Sequence, residues 1–334
     1  MTIQKDVIII GQGVVGSLLA MQLLKMGMRV MVMDDSVHIG ATQVAAGLIN
    51  PLYGKRLSPL FKSKVEEENI WQFYHDLEDD IGKKFINYFP MVRRFDANDV
   101  LAERQSNSQT AEWFDQKSII DTTDFDLGQH QFRLEKVMQI NAESFLTGIR
   151  STLKAADGFV SANVNVNSVQ VSDPFIINGV EAPVLMFCSG AQAKLNPWFN
   201  FLEFKNAYGH ILDVQIDGIA NDTIMHHGMW LIPKGRGQFR YGASSFWEDT
   251  IGNRQQSLAS LTKSLTEFVN PAVNVVGHQF GERPILNQRE PFCGFHPTIK
   301  GMGLVVGLGG HGFAKAPDVT MAMAEKIQRY LISR

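Results

Sequence analysis

The chain has 334 residues, 45% of them hydrophobic and 19% charged. That is the composition of an ordinary globular protein of about two domains, not of a disordered or fibrous one. The net charge is −3, with no Lys/Arg run longer than two residues, which disfavours a nucleic-acid or anionic-membrane partner. Cys188 and Cys293 lack disulfide-framework or metal-ligand spacing. The short segment before the first apolar run and the lack of any ~18-residue apolar stretch complete the expectation of a cytoplasmic protein with no membrane span.

Asp6–Ile10 is a β-branched run ending at Gly11 and reads as a buried strand. Val14–Met26 carries apolar residues at helical spacing and stops at Gly27, and Arg29–Met33 is a second apolar strand closed by Asp34 and Asp35. A right-handed parallel βαβ unit is expected. Ser58–Ile81 reads as helix, Asn87–Gln131 as irregular polar chain anchored by Trp113, and Asn141–Ala155 as a helix with Asn141 at its N-cap. Strands are expected over Gly158–Val171 and Val184–Cys188, then an antiparallel set from Tyr208 to Ala243. Leu304–Leu308 is a last buried strand, followed by a glycine cluster and a helix from Ala316 to Ile332.

Chemistry concentrates at four junctions. In Gly11-Gln12-Gly13-Val14-Val15-Gly16, Gly11 permits a tight turn. Gly13 lets backbone approach a pyrophosphate, and Gly16 lets the helix pack on the strand. The motif follows a strand and opens a helix, and an acid closes the second strand, the context that makes a dinucleotide fingerprint specific. Asp34, or its neighbour Asp35, is the expected ribose acceptor. The small-residue run from Ala41 through Thr42, Ala45, Ala46 and Gly47 to Leu48 either packs tightly or lets a planar ring approach the backbone. Ser189-Gly190 lies at a strand's carboxyl end, where ligands gather. Gly309-Gly310-His311-Gly312-Phe313-Ala314 is a second strand–glycine–helix junction, whose backbone donors suit a polar ring edge. His226 and His227, adjacent on a strand, point to opposite faces and make a poor chelate.

The order of these junctions, with Ala45-Ala46-Gly47, Gly281-Glu282-Arg283-Pro284 and the terminal GLGGHGFAKAP, resembles the D-amino-acid oxidase/glycine oxidase (DAO) family of FAD-dependent oxidoreductases. The resemblance covers about residues 6–332. It implies an α/β fold in which a Rossmann-like FAD-binding domain of the GR2 type (1–60, 135–203 and 296–334) is interleaved with an α+β substrate domain built on an antiparallel sheet (61–134 and 204–295). It also implies non-covalent FAD. Gly11, Gly13, Val15 and Gly16 would serve the pyrophosphate, and Asp34 or Asp35 the ribose. Thr42 and Ala45–Leu48 would run beside the flavin, and Val166 would meet adenine. Ser189 and Gly190 would border the pyrophosphate, and Gly309–Ala314, His311 included, would meet the flavin's pyrimidine end.

Arg283 matches the family's substrate-carboxylate arginine, and a guanidinium makes a bidentate pair with a carboxylate. Tyr53, Lys55 and Arg56 either recognise a second charged group or form a basic surface loop, and Lys315 points outward or lies near the flavin. Gln43 and Asn287 stand where many members carry Ser and Asp. The implied activity is oxidation of the C–N bond of a small amine or amino acid, with oxygen or another electron acceptor. The alternatives are a 2-hydroxy acid, a carboxymethylaminomethyl-uridine of tRNA, and a dinucleotide-binding protein without turnover.

Overall fold

The computed structural model describes residues 2–35, 37, 39–54, 57–94, 113 and 131–334. The expected βαβ unit forms from β1 (Val7–Ile10), α1 (Val14–Lys25) and β2 (Val30–Asp34). α2 (Ala41–Val44), β3 (Leu48–Ile49), α3 (Lys64–Ile81), β4 (Ile86–Arg94), β5 (Gln131–Ile140) and α4 (Ala142–Ala155) follow. Next come β6 (Phe159–Ser161), β7 (Val184–Phe187), β8 (Ala207–Ile216), β9 (Ile224–His226), β10 (Trp230–Gly235), β11 (Gln238–Gly242) and α5 (Ile251–Phe268). β12 (Val273–Arg283), β13 (Phe292–Phe295), β14 (Met302–Val306) and α6 (Gly312–Ile332) complete the main elements.

Two sheets organise the molecule. The first runs β13-β14-β7-β1-β2-β6, six strands, all parallel except β13. β1 is buried along its whole length because both faces are covered. Val7 and Ile9 join one core cluster with Leu18, Leu19 and Leu23 of α1, while Ile8 and Ile10 join a second with Leu185 and Phe187. The other sheet has eight strands in the order β12-β8-β11-β10-β9-β4-β5-β3, antiparallel except where β9 meets β4. Its far side packs Leu212, Val214, Phe239 and Tyr241 against Leu261, Leu265 and Phe268 of α5.

The structure corrects several expectations. Residues 87–94 are strand, not irregular chain; Pro90 sits at the register irregularity between Phe89 and Met91, where the missing N–H costs no ladder bond. The stretch Gly158–Val171 is strand only to Ser161, then a short 3-10 turn from Val166 to Ser168. α3 starts at Lys64, with the Ser63 hydroxyl accepting from the Glu66 amide. Asn141 caps α4 as expected, its Oδ1 accepting from the Ser144 amide at 3.0 Å. The expected segment limit at 134/135 falls inside β5, which pairs with β4 in the eight-stranded sheet. β13, placed ahead of the limit at 296, pairs instead with β14 in the six-stranded sheet.

α6 begins four residues before the expected start, so Pro317 lies inside it. A proline there removes the N–H that would meet the carbonyl one turn earlier, that of Phe313. The buried Tyr74 hydroxyl of α3 donates to that carbonyl instead, at 2.6 Å. Around this bond the rings of Tyr74, Phe85, Phe145 and Phe313 meet largely edge to face. We expect Tyr74→Phe to lower unfolding stability by about 1–3 kcal/mol, the cost of a buried carbonyl left unpaired. In a Pro317→Ala background, where the helix N–H returns, the same change should cost clearly less. Denaturant midpoints of the four proteins check both.

Candidate active site

The turn from β1 into α1 is held by close backbone approach. Gly11 has φ +101°, and a Cβ there would stand 2.6 Å from the Cys188 carbonyl oxygen. A Cβ on Gly16 would collide with the Gly11 carbonyl. α1 therefore starts directly above the strand ends. The Val14 amide donates to the Thr42 hydroxyl at 3.0 Å, while the Val15 and Gly16 amides lie in the first turn, where no intrahelical acceptor exists. At the end of β2, the Asp34 carboxylate accepts from the Gln12 amide at 2.7 Å. Arg150 of α4 stands 3.9 Å from its other oxygen and donates to the Gln12 side-chain oxygen.

One cavity of about 610 Å³ is lined both by the carboxyl edge of the parallel sheet and by one face of the eight-stranded sheet. From the first come Gly11, Gly13, Val15, Asp34 and Asp35, with Ser189 and Gly190 after β7. Thr42 and Ala45–Leu48 line it from the α2–β3 segment, and Gly309–Phe313 from the start of α6. Arg283 and Tyr53 line it too. Among the expected residues, Gly16, Val166 and Ala314 do not. Gly16 faces back onto the Gly11 carbonyl, and Ala314 is turned into the core. Val166 packs on the second core cluster beyond the end of β6, and Ala162, Asn163 and Val164 take the cavity edge in its place. Lys315 does not line the cavity, and Lys55 and Arg56 lie outside the described residues.

The lining suits a long, flat dinucleotide. An added Cβ at Gly190 or Gly310 would meet no protein atom within 4 Å. Gly310 leaves cavity space clear, while Gly190 also sits at φ +56°, a turn conformation that favours glycine. First-turn amides of two helices and a carboxylate at the β2 terminus meet in the same space, which is the donor and acceptor set for a pyrophosphate, a ribose and a polar ring edge.

The other end has a different character. Arg283 ends β12; its Nη2 donates to the Ser244 carbonyl at 3.1 Å, and it has no carboxylate partner among the described residues. Burial lowers its pKa from the usual value, yet a guanidinium stays charged. Gly209 makes room for it, since a Cβ there would lie 3.2 Å from Nη2. Arg93 of β4 is only 4% exposed and donates to the carbonyls of Leu52 at 2.6 Å and Gly54 at 2.5 Å. It thereby fixes the loop carrying Tyr53, whose ring meets His311 edge-on at 4.7 Å. Burial, with Lys315 nearby, lowers the His311 pKa. The carboxylate of Glu282, beside Arg283 in sequence, is turned to Lys194 and Asn206.

The sequence matches the family described as FAD dependent oxidoreductase (DAO) over residues 6–326. Similar solved structures include glycine oxidase from Bacillus cereus ATCC 14579, with TM-score 0.79, 17% identity and 98% of both chains covered. Glycine oxidase from Geobacillus kaustophilus has TM-score 0.77 and 16% identity, covering 98% of this chain and 95% of that one. Iminodiacetate oxidase from Chelativorans sp. BNC1 has TM-score 0.75 and 15% identity, covering 97% and 95%. The chain belongs to the family of FAD-dependent oxidoreductases.

Sequence reasoning about this FAD-dependent oxidoreductase missed Gln12 and the sheet-borne residues Trp230 and His226, all three lining the cavity. The opposite-face expectation for the histidine pair holds: His227 stacks on Phe268 at 3.7 Å and bonds to the Tyr241 hydroxyl. Only the face was unreadable. Among the described residues, no helix is long and apolar enough to cross a membrane. Gly11→Ala should force strand and turn apart at the Cys188 carbonyl, and we expect the purified variant to retain little or none of the wild-type flavin. Flavin absorbance per protein after gel filtration measures this.

Proposed function

We propose that the protein oxidises the C–N bond of a small amino acid or amine whose carboxylate is held by Arg283. The observation that carries this reading is a half-buried, charged guanidinium that has no carboxylate partner among the described residues and lines the same cavity as the dinucleotide cradle. A cation partly withdrawn from water without a counter-charge is costly, and a bidentate carboxylate from the substrate relieves the cost. FAD, when bound, supplies the acceptor for the hydride equivalent from the substrate's α carbon. Gly11, Gly13, Val15, Asp34, Asp35, Ser189 and Gly190 would hold its dinucleotide portion, while Thr42, Ala45–Leu48 and Gly309–Phe313 would meet the flavin. The amides at the start of α6 would stabilise negative charge at the ring's polar edge.

The protein's task is then largely orientation. Arg283 holds the carboxylate, and Tyr53 and His311 border the substrate. Among the described residues no acid is aimed at the Arg283 end, which agrees with an amine that reacts in its neutral form. The positive field of Arg283 and Arg93 favours that form over ammonium. The imine product hydrolyses in water, and oxygen or another acceptor completes the cycle. The names of the similar structures, glycine oxidase and iminodiacetate oxidase, support a substrate of this size. The same reading assigns the six-stranded sheet to FAD and the eight-stranded sheet to the substrate.

Holoenzyme should bleach anaerobically with a member of a panel of amines, D- and L-amino acids. Reduction only by 2-hydroxy acids, or by nothing in the panel, overturns the reading. Arg283→Ala should keep its flavin while KM for carboxylate substrates rises about 10- to 100-fold, the loss of charge-assisted hydrogen bonds. Unchanged kinetics would remove Arg283 from the substrate site.

A further inference from the structure

His226 ends β9 and lines the cavity, yet the chemistry above does not use it. It faces Trp230 across the antiparallel pair with β10, and it pairs in register with Arg93 on the parallel side. Paired residues share a sheet face, so His226 stands between an indole that also lines the cavity and a buried guanidinium. His226 and Arg283 line the one cavity from strands that are not neighbours in the sheet, so the two side chains approach a ligand from different directions.

The ring's hydrogen bonding defines what it offers. Nδ1 accepts from the Gly228 amide at 3.3 Å, so the proton of a neutral imidazole sits on Nε2. No side chain among the described residues accepts from Nε2. Burial, the Arg93 charge and neighbouring His227 hold the pKa down at about 3. The ring is thus a fixed neutral donor. With Nδ1 occupied it offers nothing to an ammonium, and beside the Arg93 cation it suits an oxygen, best of all an anionic one.

We propose that His226 is a specificity residue that donates a hydrogen bond to an oxygen at the end of the substrate remote from the carboxylate held by Arg283. The preferred substrates are then amino acids or amines carrying a second oxygen-bearing group, a refinement that rests on the amine-oxidation reading.

The test compares holoenzymes of wild type, His226→Leu and His226→Gln. One substrate set lacks a second oxygen group (glycine, N-methylglycine, D- and L-alanine); the other carries one (iminodiacetate, D- and L-aspartate, D- and L-asparagine). In His226→Leu the kcat/KM ratio of the second set to the first should fall about 10-fold or more, mainly through KM. His226→Gln, which keeps a donor, should recover most of it. The pH profiles of kcat/KM for wild type and His226→Gln should share one shape between pH 6 and 9.

An unchanged ratio in His226→Leu overturns the proposal. So does a histidine-like limb present in wild type and absent in His226→Gln. If no member of either set reduces wild-type flavin, the amine reading fails, and ligand-induced shifts in Tm decide His226 separately. Succinate should then stabilise wild type more than His226→Leu, with acetate as the single-carboxylate control; equal shifts overturn it.

Discussion

Everything in this molecule that concerns a cofactor depends on how closely α1 comes down on the parallel sheet. The contact of Gly16 with the Gly11 carbonyl, and of Gly11 with Cys188, leaves no room for a single methyl group at either glycine. Because the helix begins so close to the strand ends, its first-turn amides open onto the carboxyl edge of the sheet. α6 comes from the far end of the chain, and Gln22 of α1 donates to the Pro317 carbonyl within it. Two helix N-termini from opposite ends of the sequence therefore open into one cavity. Tyr74 holds α6 one turn earlier, at the Phe313 carbonyl.

The second organising fact is a separation of charge. The cradle end combines helix amides with Asp34 and Asp35, whereas the sheet-lined end carries Arg283 on β12, and Arg93 is buried on β4, further along the same sheet. Neither arginine has a carboxylate partner among the described residues. Arg93 is satisfied by two loop carbonyls, so its charge is solvated by backbone dipoles and not cancelled. Its pKa falls to about 10 through burial, and it remains cationic at neutral pH. The loop carbonyls that satisfy it also fix where Tyr53 meets His311. Local backbone order and the long-range field thus come from one side chain.

Legibility followed the physics of each element. The βαβ unit was readable because parallel strands covered on both faces are continuous apolar runs, with Gly11 and Asp34 as boundaries. β5 escaped because adjacent Glu135 and Lys136 break the alternation that marks a half-buried strand, and β4 because Pro90 argues against strand unless a register shift accommodates it. The early start of α6 was hidden for a tertiary reason: Pro317 looks like a first-turn proline until Tyr74 is seen to satisfy the Phe313 carbonyl. The glycine junctions were legible as a cradle, but Val166 was not separable from Ala162–Val164, since the end of β6 is set by its pairing with β2.

The substrate face was the least legible part, and the reason is general. Along a strand, alternation distinguishes two faces without saying which faces a ligand. His226 and His227 are chemically equal in the sequence, and their fates diverge through partners far away in the chain. α5 supplies Phe268 as a stacking surface for His227. β4 brings Arg93 beside His226, and the start of α6 and the loop at Tyr53 help enclose the space that His226 faces. A residue comes to face a cavity beside a buried cation only when strands separated by more than a hundred positions pair in one register. Periodicity can nominate such a residue; the pairing of β9 with β4 decides its chemistry.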